Sequence, residues 1–455
     1  MAPPPLHVLT EAEKNDLLLA QYEMIERMAA RISELEALVG KPRKTSKNSH
    51  IPPSKDDFCK GGPGGGGRGG KSKGGKRPSR KGSHRPLAET PDKTQRVMAA
   101  TCCHCGTDVS DQAQRCRHRY DHIDLPPIRP IVTRVELYGG RCRGCGKRYR
   151  AEAPTGMAPG TPFGSGIRSL LAYLHHSHHV SFERLSRIAA ELFVLVIYEG
   201  AIANAFRRLS AGMATATKAI TDKLLTAQVI ASDETTTRTN GITHWQWVFL
   251  SDKAVLHKIS KRRARQVAED VLGGHQPDVW ISDRYAGQQE LGREHQVCLA
   301  HVLRDVQYAI DCGDTAFAPK VRDHLRWAIR IGKRRESLKD TTLATYAAKA
   351  DNVLTRLMRI PIAHPAGKVL LKQIKAWRGK FFVFLTNRKV PATNNISERE
   401  IRPSVVFRKV TNGFRSDWGA QIHAGYRSIT GTARLSGKSA LSAIRDLVDG
   451  KFVVA

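Results

Sequence analysis

The chain has 455 residues, too many for one ordinary core and enough for roughly two to four domains. Its 74 Lys+Arg against 42 Asp+Glu leave a formal charge of +32. An excess of that size calls for a polyanionic partner, and nucleic acid, which releases counterions as its phosphates are neutralised, is the commonest. The 40% apolar content excludes a wholly disordered chain. No apolar run reaches the roughly eighteen residues of a membrane span, and the N-terminus lacks the basic start and apolar core of a secretion signal. Nine cysteines, partly in CxxC pairs, fit a reducing cytoplasm and metal binding better than disulfides.

Residues 11–39 predict one helix. Leu18, Ile25, Ile32 and Val39 repeat every seven residues, with Met28 and Leu35 three after the second and third, an a/d seam that suits a short coiled coil. Packing on the chain's own core is the alternative. Gly40 and Pro42 end the helix, so 1–40 forms a first segment. Residues 41–97 follow as a basic Gly/Lys-rich linker with too little apolar surface to offset its ordering entropy.

Residues 98–152 hold Cys102-x-x-Cys105 and Cys142-x-x-Cys145, each followed by glycine. That spacing lets two thiolates reach one tetrahedral ion, which predicts a structural zinc on Cys102, Cys105, Cys142 and Cys145; two unrelated reduced pairs are the alternative. Residues 153–226 read as helical. Within them 181–211 has the outline of a helix-turn-helix, though Phe193-Val194 stands where the turn glycine belongs, and core packing is the other reading. His175 and His179 share a helix face, which reads as a polar face before a metal site.

From Val229 the periodicity changes. VIAS, THWQWVFL, AVLHKIS, a helical stretch and VWIS give the order β-β-β-α-β, an α/β fold with a mixed sheet. Asp233 follows VIAS and Asp283 follows VWIS, positions at strand ends where open α/β sheets build their sites. Close carboxylates repel unless a cation lies between them, and their hard oxygens suit Mg²⁺. Glu398, in TNNISEREIRP, is a third acid, beside the phosphate-binding candidates Arg399, Arg402, Arg408 and Lys409. Each has a local alternative: an aspartate after a strand often caps a turn, and Glu398 stands three after Asn395, the spacing of a capping box. Residues about 315–390 return to helical periodicity as an insertion within 227–411, and 412–455 form a helical tail.

Together KPRKTSKNSHIPPSKD, the paired CxxC module, ASDET, ISDRYAG, HQVCLAHVLRD and TNNISEREIRPSVVFRK resemble the transposases of the insertion sequence 66 family, in the DDE superfamily. The resemblance implies an RNase H-like catalytic domain with a helical insertion before the third acid, and a catalytic triad of Asp233, Asp283 and Glu398 holding two Mg²⁺ or Mn²⁺ ions. It further implies double-stranded DNA as partner, both element ends and target, with a homo-oligomer and accessory proteins of the element. The expected setting is a bacterial cytoplasm, associated with the nucleoid. The family's usual CWAH tryptophan is Leu299 here. Cys298 and His301 have two readings, a second metal site or a packed helix carrying Arg304 toward DNA. The rival functions are a non-enzymatic DNA-binding regulator and a structure-specific nuclease that never joins ends.

Overall fold

The structure is a computed structural model and describes residues 10–39, 42, 44–49 and 85–454, apart from 159 and 161. Most of the linker expected over 41–97 lies outside the described residues. The chain divides into two compact units. The smaller comprises Phe58–Val132 and Ala189–Leu195, and the larger holds the rest.

In the larger unit α1 (Glu11–Val39) is the helix expected from the heptads, and Leu18, Ile25 and Met28 of its seam are exposed. The side chains of Ile32, Leu35 and Val39 lie outside the described set. A two-stranded ribbon, β1 (Gly139–Arg141) and β2 (Arg148–Arg150), precedes the helices α2 (Ser165–His178), α3 (Phe182–Phe193), α4 (Glu199–Arg207) and α5 (Ser210–Leu224). The last turn of α3 belongs to the smaller unit. Between α3 and α4, Val194 takes φ +51° in place of the missing glycine.

His175 and His176 are not a polar face. His175 packs among Phe182, Phe206 and Phe407, and His176 stacks on Tyr426 with ring centroids 4.1 Å apart. Sequence spacing could not show that this face turns inward.

The central sheet is built from β3 (Val229–Thr239), β4 (Ile242–Leu250), β5 (Val255–Ser260), β6 (Val279–Ser282) and β7 (Glu294–Val297), with α6 (Arg265–Leu272) between β5 and β6. The spatial order is β5-β4-β3-β6-β7. β3, β4 and β5 pair antiparallel, while β3–β6 and β6–β7 pair parallel. That mixed order is consistent with an RNase H-like domain. Asn240 and Gly241, at φ +51° and +75°, close the β3–β4 hairpin as a primed turn requires.

β3 is longer than its apolar start suggests. It runs on through Thr235–Thr239 as the arm of the hairpin, so Asp233 sits within the strand, where the sequence placed it just past the end. β7 was not foreseen, because EHQV carries three polar residues, two of them buried. Gln296 is satisfied inside: it donates to Phe381 O at 3.1 Å and accepts from Phe384 N at 3.1 Å.

Helices α7 (Leu299–Asp311), α8 (Ala318–Lys333), α9 (Asp340–Leu357), α10 (Pro365–Ala376) and α11 (Val383–Thr386) follow, then α12 (Asn395–Thr411), α13 (Asp417–Leu435) and α14 (Ala440–Val448). One apolar core joins the sheet to this layer, from Val248, Val279 and Ile281 through Val302, Val321, Leu325 and Phe384 to Ile401. Leu299 is fully buried in it, so the missing tryptophan leaves an apolar side chain in an apolar place.

The stretch from 412, read as a tail, contains one of the most buried helices. α13 runs along β5, where Thr432 Oγ1 accepts from Val255 N at 3.0 Å and Ser428 Oγ from His257 N at 2.8 Å. At the other edge, Val297 N donates to Lys380 O at 2.8 Å and Leu299 N to Ala392 O at 3.0 Å.

The turn entering α13 admits one substitution test. Gly413 has φ +105°, and a Cβ there would lie 2.5 Å from Arg238 O. Strain and backbone collision act together, so Gly413→Ala is expected to cost about 2 kcal/mol or more, read as a lower urea midpoint with an unchanged slope. An unaltered midpoint would contradict that placement.

Candidate active site

The sheet register brings distant residues to one level. The β3–β6 ladder ends at Ala231 opposite Ile281, and two residues further on the same offset sets Asp233 opposite Asp283. The β6–β7 ladder ends at Ser282 opposite Val297, and one residue further sets Asp283 opposite Cys298. Both aspartates thus emerge where parallel pairing stops and the strands part, the position from which open sheets present functional groups.

Asp233 Oδ1 accepts from Glu234 N at 2.9 Å, and Asp283 Oδ1 accepts from Tyr285 N at 2.8 Å. Burial, followed by the charges of Glu234, Asp283 and Glu398, holds the Asp233 carboxyl well above the usual carboxylate range. Asp233 therefore senses the charges of both other sequence-chosen acids. A half-buried all-oxygen donor set in which Asp233 is repelled by both other acids is what a hard divalent cation relieves, so these residues fit Mg²⁺.

Glu234 was missed by the sequence reading. Its side chain is 1% exposed, within 2.6 Å of Arg263 and accepting from Gln288 at 2.5 Å. Burial, then the nearby Asp283, raises its carboxyl as well. Arg263 in turn lies over the rings of Tyr285 and Trp245, at 4.1 and 4.7 Å. Glu234 is thereby committed to a local ion pair that braces the loop after Asp283. Its only sequence signal was adjacency to Asp233.

Glu398 reaches the site from α12. The helix starts one residue earlier than a capping box on Asn395 requires: Asn394 is the cap, and Glu398 instead extends to His301, 3.4 Å from its Nε2. Asn394 is the joint of the site. Its Nδ2 donates to Ser232 O at 2.7 Å, its N–H donates to Cys298 Sγ at 3.1 Å, and its Oδ1 accepts from Ser397 at 2.7 Å. Cys298 N donates to Ser282 O at 2.9 Å. One buried network thus ties together the residues preceding Asp233 and Asp283 and the start of the helix bearing Glu398. Neither Asn394 nor its role was foreseen; TNN in the sequence reads as an ordinary polar turn.

Beside the acids, Arg284 pairs with Asp305 of α7 and donates to Gln373 at 3.3 Å. Among the basic candidates, Arg399, Arg402 and Lys409 are exposed on α12, and Arg402 and Lys409, four and eleven residues after Glu398, share its face. Arg408 differs: its guanidinium donates to the Thr236 backbone oxygen and to Thr236 Oγ1 at 2.6 Å, so it braces β3.

The cysteine turns are each formed. In the smaller unit Gly106 N donates to Cys102 O at 2.9 Å, with Gly106 at φ +74°. In the larger unit Gly146 N donates to Cys142 O at 2.8 Å, with Gly146 at φ +71°. Hydrogen bonds, from Thr107 to Cys105 and from the Cys145 and Gly144 backbone to Cys142, lower both thiols. Such turns leave the two sulfurs of each pair facing one way. No helix among the described residues is long and apolar enough to cross a membrane.

No curated protein sequence matches the chain. A family model described as "Transposase IS66 family" matches residues 160–422, a span that covers the central sheet and Asp233, Asp283 and Glu398. With more than half of its length matched, the chain belongs to the IS66 family of transposases.

Proposed function

We propose that this transposase cuts DNA at the ends of its element and joins the freed 3′-hydroxyl to target DNA, with Asp233, Asp283 and Glu398 as the catalytic acids. The observation that carries the reading is the register that sets Asp233 level with Asp283 where β3 and β6 part, with Asp233 sensing the charges of Asp283 and of Glu398 from a distant helix. Together they would hold a pair of Mg²⁺ ions, which when bound lower the pKa of the attacking water or hydroxyl and stabilise the leaving oxygen. The protein's own part is positioning. Asp233 lies within β3 and Asp283 directly follows β6, two strands whose pairing up to Ala231 and Ile281 holds them side by side. Glu398 is fixed by the Asn394 network and by His301. Arg402 and Lys409, on the same face of α12, would grip phosphates on either side of the scissile bond. The +32 chain would speed encounter with DNA and make binding steeply salt-dependent.

The remaining segments have roles in the same reading. Each cysteine turn would present its thiolates to structural zinc, and the exposed seam of α1 would pair copies of the chain. The test is to incubate the purified chain with DNA carrying the element's terminal repeats, a target plasmid and Mg²⁺. Joined products are expected. Cleavage without joining would favour a nuclease, and binding without cleavage would favour a regulator.

A further inference from the structure

The acids are not the only ligand-bearing groups at this point of the fold. Cys298, at the N-terminal end of α7, and His301, three residues on and on the same helix face, converge with Glu398 of α12. Their ligand atoms all lie within 4.8 Å of one another. We propose that Cys298, His301 and Glu398 form a second cation site, selective for zinc-class ions, which takes Glu398 out of the all-carboxylate set and thereby stops strand chemistry. The stopping half of this inference rests on the function proposed above; the site itself does not.

Three features support it. The first is spacing. Ligands around a tetrahedral zinc lie roughly 3.3–3.8 Å apart. His301 Nε2 and Glu398 Oε1 already stand 3.4 Å apart, so only the sulfur needs a small adjustment. The second is support for the sulfur. Cys298 is fully buried and receives the Asn394 N–H at 3.1 Å, an outer hydrogen bond of the kind that orients metal ligands. The third is access. The side chains of His301 and Glu398 are 14% and 33% exposed, which leaves an entry path and an open fourth position for water.

Ligand chemistry then separates the two ions. One sulfur, one imidazole and one carboxylate favour zinc over magnesium, whereas the aspartates with Glu398 favour magnesium. On binding, the Cys298 thiol gives its proton to solvent as the sulfur–metal bond forms. Because Glu398 serves in both sets, occupancy of one by its ion depletes the other. Zinc would act as a brake that leaves DNA binding untouched.

Cobalt(II) is the probe, since thiolate ligation gives it a charge-transfer absorption. The full-length chain, stripped of metal and titrated with Co²⁺, is compared with Cys298→Ser. Both proteins keep the Cys102–Cys105 and Cys142–Cys145 turns, so their difference isolates this site. Cys298→Ser should bind one equivalent fewer, with a correspondingly weaker thiolate band. His301→Ala, which keeps the sulfur and serves if the serine variant fails to fold, should weaken that equivalent by about tenfold or more. Identical stoichiometry and spectra in wild type and either folded variant would overturn the site. In Mg²⁺-supported joining, zinc should inhibit the wild type at concentrations at least tenfold below those needed for Cys298→Ser. Equal sensitivity would overturn the brake. A wild type that fails to join without zinc would count against the proposed function, and the cobalt titration would still decide the site.

Discussion

Asp233→Asn is expected to abolish Mg²⁺-dependent strand joining, by about a thousandfold or more, while DNA binding persists. A loss of that size corresponds to roughly 4 kcal/mol of transition-state stabilisation, the order that a cation's charge supplies. The same change should act oppositely on stability. Burial and the charges of Glu234, Asp283 and Glu398 raise the Asp233 carboxyl above its ordinary 3.8. For a carboxyl raised in the fold, the stabilising contribution is complete below 3.8. It is lost as pH rises toward the folded value. At neutral pH without cations this side chain is therefore a burden, and Asn removes it. The variant should melt above the wild type in chelator and gain little from Mg²⁺, whereas the wild type should gain. Joining at the normal rate, or a variant that melts lower in chelator, would refute the assignment.

A second large effect should appear in acid. His176, His257 and His423 are buried within one polar network. His176 Nδ1 is 3.3 Å from His423 Nδ1, Gln246 donates to His257 at 3.2 Å and to Ser404 at 2.8 Å, and Arg427 lies beside Glu400 at 3.6 Å. Burial, and then the neighbouring charges, hold all three imidazoles well below 6.5. His175 is brought down to about 4 by burial, and His295 likewise to about 4 by burial and then Lys380. These groups fold neutral, so the stability they allow is complete above about 6.5 and falls as pH drops toward 4. At pH 5 His175 alone would cost about 2 kcal/mol, and the cluster more. The urea midpoint should fall steeply between pH 7 and pH 5. A flat profile over that range would show that water reaches these rings.

Particular residues show where sequence reading succeeds. VWIS followed by Asp283 was legible because a short buried parallel strand has few other readings, and its end marks the site. Asn240-Gly241 carried a hairpin signal that would have lengthened β3 and moved Asp233 inside it. β7 was hidden because Gln296 exchanges hydrogen bonds with backbone that arrives some 85 residues later, a partner no local window contains. The buried histidines were hidden for the same reason: α13, which supplies His423 and Tyr426, lies almost 250 residues after His176. Leucine and valine announce burial by themselves, whereas a polar residue becomes a core residue only through a distant companion.

Both margins of the central sheet meet other parts of the same chain, β5 the hydroxyls of α13 and the last residue of β7 the carbonyl of Lys380. Borders covered in this way discourage a neighbouring strand from extending the sheet, which guards the protein against fibrous stacking. The pairing of copies proposed through α1 is then a helical one, which asks nothing of these borders.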